Sequence, residues 1–310
     1  MQLAYSEKYR ALQDEVRAFI AKWGHLSPKP GGGRQKPSQK ALDWQKLLLE
    51  QGYFARNIPT QYGGFGLPLD VLELAVIAEE IAKGNVYPGI MNQGISMLVP
   101  TLLEVGTKEQ CAKWIEPTIR GEVIWCQGYS EPGSGSDLAA AKTRAEVVDA
   151  HFVINGQKIW TSSAHYSDMM FLLCRTEPDK PKHKGLSYLL VPMRTPGIEV
   201  RPLVTMTGRA TFNETFFTNV VSLYRTPFDT LGSASTMRTL HRVNGAALLL
   251  GLSDAHPNTG IRSRSRKRAS VLHKGTLEPL WNLSPRPFQL AGASGRKNNS
   301  FSSLSGLRHR

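Results

Sequence analysis

Apolar residues recur at spacings of three and four through the first 120 residues, which is typical of amphipathic helices. Leu12, Val16 and Phe19 mark the first predicted helix, at residues 3–23. The same periodicity predicts further helices at 38–50, 69–83, about 91–104 and 107–119. Asp70 can cap the third helix, since its side chain can accept from a free backbone amide. No convincing strand precedes residue 120, so residues 1–120 are predicted to form a helical domain.

From about residue 121 the pattern changes to short runs of β-branched and aromatic residues separated by turn residues. The runs are Glu122–Gly128, Thr143–Val148, His151–Ile154, Gly156–Trp160, Met169–Arg175, Ser187–Pro192 and Ile198–Pro202. Asn155-Gly156 is typical of a two-residue hairpin turn. These short strands predict an antiparallel β-barrel or sandwich over residues 121–221, and the fold class is therefore α+β.

Residues 222–310 have a third pattern, with 13 Ser and 14 Lys+Arg but only 3 Asp+Glu. A basic run at 262–268 and a Ser/Gly/Arg-rich end predict a mostly irregular basic tail, with a helix around 236–252. An arm that binds nucleic acid is the alternative for this segment. It lacks the interleaved aromatic residues of a base-stacking surface, and we expect no specific nucleic acid.

The formal net charge of +13 and the isoelectric point of 9.7 come from this last segment. Residues 1–221 hold 24 Lys+Arg against 22 Asp+Glu, so they carry no basic signal of their own. Three cysteines at wide spacing, Cys111, Cys126 and Cys174, argue against a disulfide framework and a zinc site. His151, His165 and His183 each lack a second ligand at metal spacing, so no metal is expected.

The chain shows no apolar run long enough to span a membrane and no signal or transit character. We therefore expect no membrane association and a cytoplasmic location.

Two stretches carry candidate chemistry. The first, Trp125 to Ala139, is a predicted strand that ends in a loop of small residues, Gly133-Ser134-Gly135-Ser136. Because no large side chains block the approach, backbone amides of this loop can contact an anion or a polar ring edge. The second, Ile154 to Ala164, is predicted as a hairpin that brings Trp160 and then the hydroxyls of Thr161 and Ser162 to the end of a strand. Taken singly, the first is more often an ordinary turn, and Trp160 is more often a core residue.

Together, in this order and spacing, the two stretches resemble the acyl-CoA dehydrogenase family. The resemblance extends over about residues 1–221 and includes the segments Gly52-Tyr53-Phe54, Ile58-Pro59-Thr60-Gln61-Tyr62-Gly63-Gly64, Gly106-Thr107-Lys108-Glu109-Gln110, Gly121-Glu122 and Phe212-Asn213-Glu214-Thr215-Phe216-Phe217. It implies a family-type helical domain at 1–120 and a family-type middle β domain at 121–221. The form Cys-Gln-Gly-Tyr-Ser-Glu-Pro at 126–132 is closer to bacterial branches that act on bulky or unusual acyl groups.

The resemblance implies a flavoprotein of fatty acid metabolism that oxidises the Cα–Cβ bond of an acyl-CoA. In the family a carboxylate removes the α-proton and the β-hydrogen leaves as hydride to N5 of FAD, with electron-transfer flavoprotein as the electron acceptor. The family is also homo- or hetero-oligomeric. The implied FAD-binding residues of this chain are Gln127, Gly128, Tyr129, Ser130, Gly135, Ser136, Trp160, Thr161 and Ser162.

Within this implied set the roles differ. Tyr129 and Ser130 would contact the pyrimidine side of the flavin, where donors stabilise charge that develops on reduction. Ser136 would also lie toward the CoA side of the substrate, as the substrate-binding residue. Trp160 would pack on the ring, and Ser162 would hydrogen-bond near N5. Glu131 and Asp137 are interpreted as residues that order the loop.

After Val221 the resemblance stops, and the family's C-terminal helical domain is not recognisable in residues 222–310. That domain carries the family's catalytic Glu and part of its FAD site, and Asp229, Asp254 and Glu278 stand in no matching context. The catalytic residue is therefore left unassigned. The abrupt change is typical of a shifted reading frame or an alternative terminal exon. Three hypotheses follow: an impaired, truncated dehydrogenase; an inactive remnant or non-catalytic partner subunit; and, from the tail alone, a nucleic-acid-binding protein.

Overall fold

Helices build the first part of the protein. The structure is a computed structural model that describes residues 5–29, 35–149 and 151–222, with the backbone of residues 230–231. Its α-helices are α1 (Glu7–Trp23), α2 (Gln39–Glu50), α3 (Val71–Lys83), α4 (Val99–Val105) and α5 (Lys108–Ile119). Short 3₁₀ turns lie at Gly24–Leu26 and Thr60–Tyr62. The helical domain predicted from periodicity is confirmed.

The sequence itself sets several helix starts. Asp70 caps α3 by accepting from the N–H groups of Leu72 and Glu73, as predicted. Thr107 and Gln110 form a capping box at the start of α5. The helix expected at about 91–104 instead begins as a π-helical segment, Gly94–Leu98, that continues into α4.

Aromatic and aliphatic side chains pack α1 against α2 and α3. Phe19 lies 4.7 Å from Tyr53 and 5.6 Å from Trp44 between ring centroids, and Val16 and Leu48 are fully buried beside them. This cluster packs α1, α2 and α3 into one body, while α4 and α5 pack with residues of the sheet.

Acid should weaken this domain through Glu80 of α3, whose side chain is almost fully buried. Its carboxylate accepts from Arg17 Nε at 2.7 Å, and the guanidinium lowers the pKa of Glu80 from 4.5 to about 2. A lowered pKa stabilises the fold above the unfolded value, so this contribution should disappear as pH falls from 4.5 toward 2. Urea unfolding across that range should show a shallower acid loss in Glu80→Gln. An unchanged slope, equal to that of the exposed Glu122→Gln control, would contradict the assignment.

The second part of the protein is one sheet. Its strands are β1 (Trp125–Gly128), β2 (Arg144–Val148), β3 (His151–Lys158), β4 (Met169–Arg175), β5 (Leu186–Pro192), β6 (Ile198–Leu203), β7 (Phe212–Ser222) and β8 (Thr230–Leu231). The strand order is β6-β7-β3-β2-β4-β5-β8, with β1 pairing β4. A helical part followed by a β part confirms the predicted fold class. The sheet is mixed, however, because β1 and β2 each run parallel to β4 while the other pairs are antiparallel.

The hairpin predicted at Asn155-Gly156 is wrong. The runs on either side of it form one continuous strand, β3, which pairs with β2 on one side and β7 on the other. The register with β7 shifts between Ile154 and Gly156, so the Asn-Gly pair marks a β-bulge. Gly156 has φ +149°, and a Cβ there would lie 2.6 Å from Thr143 Oγ1. The glycine therefore serves the bulge and a close strand contact.

A buried amide joins the helices to the sheet. Asn92 donates to the carbonyls of Val123 at 2.7 Å and Thr118 at 3.4 Å. Its Oδ1 accepts from the N–H groups of Gly94 and Trp125, both at 3.0 Å. One side chain thus fixes the end of α5, the π-helical segment and the start of β1, the strand that leads into the first candidate stretch.

Replacing Asn92 with alanine should destabilise the protein. Each buried group left without a partner costs about 1–3 kcal/mol, so we expect a loss of about 3 kcal/mol or more in the free energy of unfolding. The matched control is Asn155→Ala, an exposed asparagine that pairs with Asn219 through both ends of its amide. Urea titration of the two variants measures this, and an equal loss of unfolding free energy in both would contradict the role of Asn92 in joining the helices to the sheet.

None of the helices within the described residues is both long and apolar enough to cross a membrane. The predicted irregular tail and the helix predicted around 236–252 lie outside the described residues, apart from Ser222 and the short strand β8.

Candidate functional site

The two candidate stretches meet at the ends of β1 and β3. The N–H of Ile159 donates to the carbonyl of Ser130 at 2.9 Å, which joins the segment after β1 to the segment after β3. The sequence predicted that these stretches act together, and the structure brings them into direct contact.

A buried ion pair lies under this junction. The Lys158 ammonium donates to Glu131 Oε1 at 2.8 Å and to the carbonyl of Tyr129 at 3.0 Å. Lys158 is fully buried, and burial lowers the pKa of its amine while Glu131 opposes that shift. Burial would raise the pKa of Glu131, yet Lys158 and hydrogen bonds from Lys142 and Thr143 hold it below its usual range. Both charges are compensated inside the protein.

Glu131 also orders the loop that follows it. Its carboxylate accepts from the N–H groups of Lys142 at 2.6 Å and Thr143 at 2.9 Å, so the two ends of the loop are held together. Glu131 and Ser134 exchange backbone hydrogen bonds in a tight turn. The ordering role predicted for Glu131 agrees with these contacts.

The tip of this loop is open. Gly135, Ser136 and Asp137 are exposed, and a Cβ added at Gly133 or Gly135 would meet nothing within 4 Å. Asp137 pairs with Lys182 at 2.8 Å on the surface. The loop therefore leaves room for a ligand beside its backbone.

Trp160 stands out in conformation and exposure. Its backbone φ is +61°, in the left-handed region that bulky residues rarely adopt, and 58% of its surface is exposed. The ring contacts Phe212 edge-on at 5.8 Å between centroids. A large aromatic side chain therefore lies at the surface on a strained backbone, and core packing does not explain this conformation because the side chain is exposed.

Thr161 and Asn213 fix the chain directly after Trp160. Their backbones exchange two hydrogen bonds of 3.0 Å, and the buried amide of Asn213 donates to the carbonyl of Thr161 at 2.8 Å. His165 Nδ1 lies 3.3 Å from Asn213 Oδ1. The Thr161 hydroxyl is buried and has no hydrogen-bond partner among the described residues. Ser162, beside it, is half-buried.

The other predicted residues take different positions. The Tyr129 ring is buried in the core near Phe171 and Tyr188, so its backbone is the part that lies at the junction. Gly128 packs closely in the sheet, since a Cβ there would lie 2.5 Å from Met170 Sδ. Gln127 is half-buried in β1. Ser130 is half-buried beside the two stretches' backbone contact.

The cysteines are all free and buried. Burial raises the pKa of Cys126 and of Cys174 to about 12, which keeps both thiols protonated at neutral pH. In the described part of the chain, no group of His, Cys, Asp and Glu side chains is arranged to hold a metal ion.

The arrangement offers an exposed aromatic face, a buried unpartnered hydroxyl and an open glycine-containing loop within one region. These features fit a flat, polar-edged ring system such as an isoalloxazine, because one ring can stack while its heteroatoms find donors. Sequence reasoning missed the roles of Lys158 and Asn213. Lys158 falls in the same period-two alternation as the buried Phe152 and Ile154 of β3, and that was the only signal for its burial.

Two family models match the chain. The acyl-CoA dehydrogenase N-terminal domain matches residues 6–122, and the acyl-CoA dehydrogenase middle domain matches residues 126–220. The matched ranges correspond to the helical part and the sheet.

Two relatives from Mycobacterium tuberculosis are similar over the same region. Acyl-CoA dehydrogenase IpdE1 is 40% identical over 218 residues, which cover 68% of this chain and 55% of the relative. Acyl-CoA dehydrogenase FadE34 is 45% identical over 209 residues, which cover 67% of this chain and 27% of the relative. The chain thus spans about half, or less, of the length of these relatives.

Solved structures show the same architecture. The Tcur3481-Tcur3483 steroid ACAD matches with a TM-score of 0.65 and 28% identity, covering 81% of this chain and 64% of that chain. The ChsE4-ChsE5 complex from Mycobacterium tuberculosis matches with a TM-score of 0.62 and 27% identity, covering 80% of this chain and 61% of that chain.

Proposed function

This chain belongs to the acyl-CoA dehydrogenase family, and from that premise we propose that it is an FAD-binding oxidoreductase subunit that dehydrogenates the α,β-bond of an acyl-CoA thioester. The observation that carries the proposal is the 2.9 Å contact between Ile159 N and Ser130 O, which unites the two implied flavin-binding stretches. FAD when bound supplies the hydride acceptor of this reaction.

The residues present fit the cofactor. Trp160 offers its exposed face to a ring, and Thr161 and Ser162 supply hydroxyl groups next to it. Ser130 and the backbone of Tyr129 supply the second side. Gly135 and Ser136 lie on the open loop, where Ser136 is the proposed contact to the CoA part of the substrate. The buried sheet beneath excludes water from one side of the site.

Flavin retention tests this proposal directly. The purified 310-residue chain, incubated with FAD and desalted, should retain flavin with the visible absorbance bands of a bound oxidised isoalloxazine. A chain that is folded by circular dichroism and retains no flavin at micromolar FAD would count against the proposal.

Variants of the second stretch should weaken FAD binding. Ser162→Ala removes one hydrogen bond and should raise the Kd about 2–10-fold, and Trp160→Ala removes the stacking ring and should raise it about tenfold or more. Fluorescence titration of FAD measures both. His183→Ala is the control, because His183 is exposed. His165 is not used as the control, since it contacts Asn213 beside Thr161. Equal and negligible effects at all three positions would show that the flavin lies elsewhere.

The proposed substrate is an acyl-CoA with a bulky, ring-bearing acyl group. One structural neighbour, at 28% identity to this chain, is a steroid ACAD. A panel of straight-chain and steroid-derived acyl-CoAs tests this choice by flavin bleaching under anaerobic conditions. The proposed electron acceptor is an electron-transfer flavoprotein.

A second candidate function is that of one subunit in a two-chain dehydrogenase. The structural neighbour ChsE4-ChsE5 is itself a complex. The described residues contain no carboxylate assigned as the catalytic base, and a partner subunit would complete the site. Size-exclusion chromatography with and without a complete family member separates this hypothesis from that of a dehydrogenase acting as a single chain.

A further inference from the structure

One ion pair lies beneath both segments of the proposed flavin site. We propose that Lys158 and Glu131 are positioning residues that lock the two segments into one rigid unit. This inference rests on the proposed function, since it gives the pair its purpose there.

The Lys158 ammonium contacts the residues on either side of Ser130 in the sequence. Lys158 Nζ donates to the carbonyl of Tyr129 at 3.0 Å and to Glu131 Oε1 at 2.8 Å, so it holds the residues before and after Ser130. Lys158 is 0% exposed and the Glu131 side chain 7% exposed, so water does not compete for these hydrogen bonds.

The same pair also controls the second segment and the loop. Lys158 precedes Ile159, whose N–H donates to Ser130 O, and Trp160 follows at once in its left-handed conformation. At the other end, Glu131 accepts from Lys142 N and Thr143 N and so closes the loop that carries Gly135 and Ser136. Three stretches of chain therefore take their relative position from two side chains.

Stability alone does not account for such a pair. Burying two charges costs solvation free energy, and apolar residues of similar volume in place of a buried pair are often neutral or stabilising. An apolar pair can fill the volume, but it cannot hold the Tyr129 carbonyl or the amides of Lys142 and Thr143 in place. Positioning is the property that only the charged, hydrogen-bonding pair supplies.

The decisive variant is the apolar double substitution Glu131→Met with Lys158→Met, made in the full 310-residue chain beside each single substitution. The singles leave one buried charge unpaired and should lower both the urea midpoint and FAD affinity. The double variant should recover part of the lost midpoint, because no buried charge is left unpaired. Its FAD Kd should stay raised about tenfold or more, because misplaced groups bind poorly. A double variant that binds FAD as tightly as the unmodified chain overturns the inference.

A second readout needs no flavin. Amide hydrogen exchange in the flavin-free protein should be about tenfold faster or more at Ile159 and Thr143 in the double variant, with the amides of α3 unchanged. If the unmodified chain fails to bind FAD, the proposed function fails, while the exchange at Ile159 still decides whether the pair locks the segments. Unchanged protection at Ile159 overturns the locking. If the double variant does not fold, FAD affinity and amide exchange at Ile159 are measured in Glu131→Gln, with the same expected changes.

Discussion

Replacing Lys158 with methionine is expected to lower the free energy of unfolding by about 3–5 kcal/mol, because removing one partner of a buried ion pair leaves the other charge unpaired. Glu131 would keep the N–H groups of Lys142 and Thr143 but lose its only ion-pair partner among the described residues. The Tyr129 carbonyl would lose its donor as well. Guanidinium or urea titration, followed by far-UV circular dichroism, measures the change.

A surface pair supplies the matched control. Lys182 and Asp137 are also 2.8 Å apart, but their side chains are 54% and 56% exposed. Lys182→Met should therefore cost about 0–1 kcal/mol, since solvent screens an exposed pair. A Lys158→Met variant no less stable than Lys182→Met would show that leaving Glu131 unpaired carries no large penalty.

The second large effect concerns turnover. The 310-residue chain alone is expected to dehydrogenate acyl-CoAs about 10²–10⁴-fold more slowly than complete family members, because a positioned general base contributes about that factor. The family resemblance places the base beyond the ranges that match, which end at residue 220. If residues 222–310 supply no counterpart of that part of the site, water would also reach the flavin and weaken its polar contacts.

The measurement is an anaerobic mixture of the chain, FAD and a panel of acyl-CoAs, followed by loss of flavin absorbance. A complete family member under identical conditions is the positive control. Rapid bleaching by the 310-residue chain without a partner subunit would reveal a base within this sequence, and our interpretation of residues 222–310 would then be wrong.

Local patterns predicted the helices well because each one carries its own signals. Asp70 and Thr107 satisfy free amides at helix starts, and the apolar spacing of α1 sets its buried face without reference to distant residues. The strand bounds of β4 also followed from a continuous apolar run that ends in turn residues.

Long-range pairing explains what local patterns missed. Asn155-Gly156 is a good hairpin sequence, yet β7 pairs with the runs on both sides of it and β2 pairs with the first run. Those contacts keep β3 extended through the bulge. The parallel pairing of β1 with β4 joins strands far apart in sequence, and no local turn signal predicts such a pairing. Tyr129 was predicted beside a ligand, but its ring packs near Phe171 because core packing decides side-chain direction.

The same distinction holds for the candidate site. The sequence placed Trp160 and Ser130 beside a flavin only through the family resemblance of the two stretches taken together. The pairing of Glu131 with Lys158, 27 positions later, needed the fold, since a lysine in a strand is usually solvated.

The buried cysteine thiols can be used to measure transient opening of the fold. Cys174 on β4 is completely buried, and its thiol feels the charges of both Lys158 and Glu131. A protonated, enclosed thiol reacts with an alkylating reagent only while the surrounding strands are apart. The rate at which Cys174 is alkylated therefore measures how often the sheet beneath the site opens, and mass spectrometry can follow it at this native cysteine without introducing a new one.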